Sequence, residues 1–305
     1  TRSLPDLLAE LRRLRSEMAT AARAAGARLV ATASSPLHDR PATTDDERYR
    51  RMNDQFGMLA REQLTCGMHV HVSVESPVEG VAALDGIRRW LSLLTALSSN
   101  SPLYRGQDTG YASYRTVLWG QWPTAGPTAA FADSDEYEQL VGDLVTVGAA
   151  GDDAMIYFDA RLSRNYPTVE IRVCDVCARP EDAVVIAALC RGLVETAVRR
   201  GGDPLPGPRA ELLRGASWRA GRYGMSDELA DLAGGRVRLR PAWDAVDRLL
   251  DHVGAALEGA GDGTVVTDGL RRIRERGTGA QLQRSAFTEG GVEAALAAVT
   301  VPAPG

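Results

Sequence analysis

Residues 67–74, GMHVHVSV, and residues 168–176, TVEIRVCDV, decide the fold. Both alternate apolar and polar side chains with a period of two, the pattern of half-buried strands. A third strand, MIYFDARLS at 155–163, precedes the second across a short RNYP turn. A further strand is expected at 28–34, RLVATAS. Between these strands stand helical patterns. They cover 4–26, 45–64, 78–99, 133–148 and 180–201, and most of the last third. Strands and helices do not alternate regularly. The expected class is therefore α+β, a mostly antiparallel β-sheet flanked by helices, in a single domain over 1–305. Residues 100–133 are rich in Gly, Pro, Tyr and Trp and carry no clean period, as functional loops often do.

Composition narrows the chemistry. The 305 residues include 35 cationic side chains, and every one of them is arginine. A Walker-A lysine, a Schiff-base lysine and a lysine general base are thus excluded, and a phosphate must be gripped by arginine, histidine, backbone or metal. The net charge of −5 argues against a dedicated nucleic-acid partner. No apolar run is long enough to span a bilayer, and the expected location is cytoplasmic. Four cysteines, Cys66, Cys174, Cys177 and Cys190, form neither a zinc set nor a disulfide framework and are expected to be reduced thiols.

Three constellations could carry chemistry. On a strand, His69 and His71 share one face about 7 Å apart. There they could serve a metal-plus-phosphate site, or simply face solvent. Glu170 and Arg172 likewise share a face, able to hold a metal and a phosphate side by side, or to form a cross-strand ion pair. Arg161 and Arg164 flank the same hairpin. The third is the loop text SSNSP (98–102), DTGYASYR (108–115) and WGQWP (119–123), which supplies rings, hydroxyls and Arg115. A zinc hydrolase built on the HxH pair is disfavoured, because neither HExxH nor a nucleophile elbow is present.

Taken together, CGMHVHV, SSNSPLYRGQDTGYASYRTVLWGQWPTAG, YPTVEIRVCDVC, SWRAGRYGM and GTGAQLQR resemble the carboxylate–amine ligase family, the glutamate–cysteine ligase type 2 group with a glutamine synthetase-like fold. The resemblance spans nearly the whole chain. It implies ATP-dependent amide formation through an acyl phosphate, with Mg²⁺ (or Mn²⁺), a glutamate-like carboxylate and an amine such as cysteine. By similarity His69 and Glu170 would be metal ligands, and His71 and Arg172 would lie near the ATP phosphates. Arg161 and Arg164 would meet the phosphate or acyl phosphate. Arg115 would take the substrate carboxylate in a pocket shaped by Tyr111 and Trp122. Arg222 and Arg284 would lie on the nucleotide side. Family members open with a glutamate-bearing strand, GVEEEF-like, for which the present text begins instead with the helix TRSLPDLLAEL. The corresponding expectation is a homo-oligomer or a partner chain that supplies this strand. The alternative function is a non-catalytic or regulatory subunit of the same fold.

Overall fold

The computed structural model describes residues 3–38, 41–201, 207–234 and 236–303. Ser3 caps the first helix, α1 (Leu4–Ala24), by accepting from Asp6 N, with Pro5 in the first turn. The helical text at 45–64 is not one helix. Asp46 caps α2 (Glu47–Phe56), which stops at Gly57, whose φ of 58° a helix cannot accommodate, and α3 (Met58–Arg61) restarts beyond it. Strand β1 (Gly67–Ser73) follows. The helical stretch 78–99 is α4 (Pro77–Ile87) and α5 (Leu91–Ser98), joined by a 3₁₀ turn at Arg88–Trp90. Residues 100–133 hold the small hairpin β2 (Leu103–Tyr104) and β3 (Gln107–Asp108), and the short helix α6 (Tyr114–Trp119). Helix α7 (Ser134–Thr146) begins at the Asp133 cap.

Strands β4 (Ala160–Leu162) and β5 (Thr168–Asp175) complete the main sheet, in the order β1-β5-β4, antiparallel throughout. Helix α8 (Pro180–Arg200) packs behind it against α4, α10 and α1. The last third comprises α9 (Ala210–Tyr223), the hairpin β6 (Glu228–Asp231) and β7 (Arg238–Pro241), then α10 (Ala242–Ala260), α11 (Gly263–Arg276) and α12 (Gly279–Ala298). The architecture is thus α+β, with antiparallel pairing in each sheet.

The expected strand at 28–34 is not formed. Its backbone groups go to three separate partners: Ala31 N to Val299 O, Ala33 N to Asn100 O, and Ala33 O from Cys66 N. Only isolated bridges, Val30 with Thr300 and Ser34 with Thr65, result. The apolar run is real, but no single neighbour runs alongside it to make a ladder.

One buried cluster runs from Leu4 to Ile273 and includes Val169 and Ile171 of β5 and Ile186, Leu189 and Leu193 of α8, all five inaccessible to solvent. Among the described residues no helix is long and apolar enough to cross a membrane. Truncating a fully buried leucine leaves a cavity as well as losing transfer energy. Leu189→Ala should therefore cost about 2–5 kcal/mol in urea denaturation. Val147→Ala, at a residue 75% exposed, should stay within about 0.5 kcal/mol.

Candidate active site

Glu170 is the hub. It sits in the middle of β5 with only 3% of its surface exposed. Register places it opposite His71 on β1 and Arg161 on β4. Arg161 Nε donates to Oε2 at 2.7 Å, and Arg172, two residues along the same strand face, pairs with Oε1. His69 Nδ1 lies 3.0 Å from Oε1 and His71 Nε2 lies 3.8 Å from it. The two imidazoles are about one-third exposed, so the cluster opens to solvent over β1. Period-two alternation thus gathers His69, His71, Glu170, Arg161 and Arg172 across three strands.

A buried carboxylate would be costly to ionise without partners. Burial raises the Glu170 pKa, but hydrogen bonds from His69 and Arg161 and the charges of Arg172 and Arg161 outweigh it and hold the carboxyl well below its usual range. Burial and the Arg172 charge lower the His69 pKa against the pull of Glu170, keeping this imidazole neutral near pH 7.

The ladder between β1 and β5 is irregular at this point. Met68 pairs with Cys174 and Val70 with Ile171, so His69 alone faces both Arg172 and Val173. This is a β-bulge with its extra residue on β5, the device that re-aims side chains beside active sites. Arg115 covers it, donating to the carbonyls of Arg172 at 3.0 Å and Val173 at 3.4 Å. Only glycine at position 67 leaves room, since a Cβ there would stand 2.8 Å from the Arg115 Cζ. The Arg115 backbone is held through Ser101, whose hydroxyl donates to Asp175 Oδ2 at 2.7 Å. Asp175 is fully buried and also accepts from Asn100 N at 2.8 Å and Ser113 Oγ at 2.9 Å. Asn100 in turn donates to the carbonyls of Ala31 and Val176 and accepts from Gln283. The SSNSP loop and the GTGAQLQR text are therefore internal scaffolding behind the site.

A cavity of about 310 Å³ adjoins the cluster, and Arg172 forms part of its wall. The Arg172 guanidinium stands 5.7 Å from the Tyr157 ring and 5.9 Å from that of Trp119, and Arg115 stands 5.7 Å from Trp119. Tyr111 lines the cavity, its hydroxyl accepting from Trp218 Nε1 at 3.2 Å. Trp122 is 4% exposed and packs behind, edge-on to Tyr157 and Phe56, so it supports this wall without lining it. Trp119 of the WGQWP text also lines it, together with Asp159, Tyr157 and Arg214, of which Tyr157 and Arg214 have no role assigned from the sequence. The available signal was YFDAR, an acidic residue at the end of a strand beside two rings.

The remaining candidates have other partners. Arg164 is exposed and pairs with Asp153. Arg222 donates to Gly110 O and stacks at 5.5 Å on Tyr111, and Arg284 pairs with Asp108 at 2.9 Å and donates to Tyr111 O at 2.8 Å. Both fasten the 108–111 loop. Cys174, Cys177 and Cys190 are buried, and burial pushes the Cys174 thiol up to about 12 and the other two well above their usual value.

The whole chain can now be set beside known proteins. Residues 1–297 match the family described as glutamate-cysteine ligase family 2. The chain belongs to this family. It is 52% identical over 291 residues, 95% of this chain and 76% of the relative, to "Putative glutamate--cysteine ligase 2-2" of Frankia alni. It is 47% identical over 290 residues to "Putative glutamate--cysteine ligase 2-1" of Paenarthrobacter aurescens, covering 94% of this chain and 74% of the relative. With "Putative glutamate--cysteine ligase 2-1" of Streptomyces avermitilis it shares 50% identity over 278 residues, 90% of this chain and 76% of that protein.

Two outcomes test this geometry. A lowered Glu170 pKa means that its ion pairs stabilise fully above the unfolded value near 4.5 and are lost as pH falls below it. The lowered His69 pKa adds a loss of the same sign below 6.5, because there the unfolded chain binds the extra proton. In EDTA-containing buffer, Glu170→Gln should start about 3–5 kcal/mol less stable at pH 7 than the parent. From pH 5 to pH 3 it should lose less further stability than the parent, as read by urea midpoints. Arg115→Lys exchanges a planar fork for a point charge at the bulge. It should cost about 1–3 kcal/mol through carbonyls left unpaired, measurable by thermal denaturation.

Proposed function

We propose that this chain forms an amide bond between a glutamate-like carboxylate and an amine at the expense of ATP, on a sheet of glutamine synthetase-like type. Family membership supports a ligase-like activity on small molecules. The observation that carries the finer reading is the convergence of His69, His71, Arg161 and Arg172 on Glu170, beside a cavity of about 310 Å³.

In this reading a carboxylate oxygen attacks the γ-phosphorus, the bond to the bridging oxygen breaks and ADP leaves. The neutral amine nitrogen then attacks the acyl phosphate carbonyl, and phosphate departs with the electron pair of the C–O bond and takes up the proton that the nitrogen loses. Two fixed guanidiniums suit the first step. Arg161 and Arg172 are already oriented toward one point before substrate arrives, so charge on the transferring group meets donors that need only change partner. Phosphate oxygens would exchange with Glu170 as their partners.

The donors do not complete a resident Mg²⁺ site. Both Glu170 oxygens are engaged by arginine, and among the described residues no group of three or more His, Cys, Asp or Glu side chains gathers as a metal cluster. Mg²⁺ or Mn²⁺ would accordingly arrive with the nucleotide as part of the substrate. The engagement of both Glu170 oxygens by arginine is what favours the second reading, a non-catalytic or regulatory subunit of the same fold whose site is completed by a partner chain.

With Mg·ATP, glutamate and a panel of amines, the chain should release ADP over repeated turnovers only when both organic substrates are present. Arg161→Ala should reduce that release at least 100-fold, in line with loss of one preorganised donor. Binding of Mg·ATP without ADP release under any of these conditions would establish the second reading instead.

A further inference from the structure

The cavity beside Arg172 carries a charge pattern that the Glu170 cluster does not use. Its walls include the rings of Tyr111, Trp119, Tyr157, Phe158 and Trp218. Arg115 and Arg172 border it, with terminal nitrogens engaged by the bulge carbonyls in one case and by Glu170 in the other, while the Nε of each is buried without a hydrogen-bond partner. That leaves one acid and one base. Asp159 is fixed through its backbone, with its N–H donating to Gly126 O at 2.9 Å and its carbonyl accepting from Arg172 N at 2.9 Å. Its carboxylate makes no hydrogen bond or ion pair among the described residues, and only the more distant charges of Arg115 and Arg214 bear on it. Desolvation pushes this carboxyl up to about 6 against those charges, which leaves it largely ionised at neutral pH. Arg214 on α9 is exposed and makes no hydrogen bond or ion pair among the described residues; only the more distant charges of Glu211, on the same helix, and of Asp159 act on it.

A lone carboxylate and a lone guanidinium in an aromatic chamber match a zwitterion with an apolar body. The ammonium group is attracted both by Asp159 and by ring faces, the carboxylate by the Arg214 fork, and the side chain by the walls. We infer that the amine substrate of this chain is an α-amino acid with a bulky apolar or aromatic side chain, in preference to cysteine. The inference rests on the ligase reading above and names its second substrate. A cysteine side chain ends at one sulfur and would leave most of the apolar wall wet, whereas an aromatic ring would displace that water. Arg172 is shared between the chamber and the Glu170 cluster, so an amine held at Asp159 lies on the side where the acyl phosphate is proposed to form.

The test compares L-phenylalanine, 2-phenylethylamine and L-cysteine as amines in ADP release with Mg·ATP and glutamate. Calorimetric titration of each amine onto the chain alone is run in parallel. L-Phenylalanine should exceed L-cysteine at least tenfold in kcat/KM, the lower end of what one hydrophobic pocket supplies. Asp159→Asn should lower kcat/KM for L-phenylalanine at least tenfold while leaving Mg·ATP affinity within twofold. Arg214→Ala, at an exposed position where folding is not at risk, should erase the advantage of L-phenylalanine over 2-phenylethylamine. A tenfold preference for L-cysteine would overturn the inference and leave the ligase reading standing. Absence of ADP release with all three amines would overturn the ligase reading. Calorimetry then decides the chamber: binding of L-phenylalanine weakened tenfold by Arg214→Ala supports it, and no binding overturns it.

Discussion

A carboxylate buried in the centre of a three-stranded sheet is the constraint on which the rest of this structure depends. Glu170 cannot remain ionised in the middle of β5 without partners, and each partner comes from a different direction: Arg161 from β4, Arg172 from its own strand, His69 and His71 from β1. The arrangement fixes the register of all three strands. A slip of one residue would turn Glu170 into the apolar core occupied by Val169 and Ile171. The same charges that stabilise the carboxylate leave two guanidiniums oriented in advance, which is what a site for an anionic substrate requires.

The bulge at Arg172–Val173 is the second organising element. It costs ladder hydrogen bonds, and Arg115 offsets that cost by covering the two carbonyls. Arg115 is itself positioned by Ser101 and, through it, by Asp175 and Asn100. A line of buried polar contacts thus runs from the bulge to Gln283 on α12. Such networks impose one geometry when every member is satisfied. Here the network reaches Arg172, which pairs with Glu170 and also lines the aromatic chamber.

The local signals in the sequence were strong where periodicity and capping agree. The strands at 67–74 and 168–176, the helix from Leu4 and the helix from Pro180 were all legible, because side-chain alternation, proline at a first turn and polar caps act within a few residues. The pairing of His69 with Glu170 was legible only as two faces awaiting each other. Where the signal was tertiary, the reading failed. RLVATAS has the composition of a strand, yet its backbone partners lie in three unrelated segments. The helix expected at 45–64 breaks at Gly57, whose positive φ of 58° ends one helix before the next begins. Asp159 and Arg214 are 55 positions apart, and nothing in either neighbourhood announces that they face one chamber.

By itself, then, the sequence determined the class of the fold, the absence of lysine chemistry, the family resemblance and the two strand faces that carry the charged side chains. The resemblance rests on the motif text itself, and the others follow from composition and short-range periodicity. The tertiary structure alone decided that Arg115 serves a bulge, that Trp122 stands behind the cavity wall and that Arg222 and Arg284 fasten a loop. It also decided that one arginine joins a charge cluster to an aromatic chamber. The reason is physical. A guanidinium can satisfy a carbonyl, a carboxylate or a ring equally well, and only the surfaces that close around it select among them.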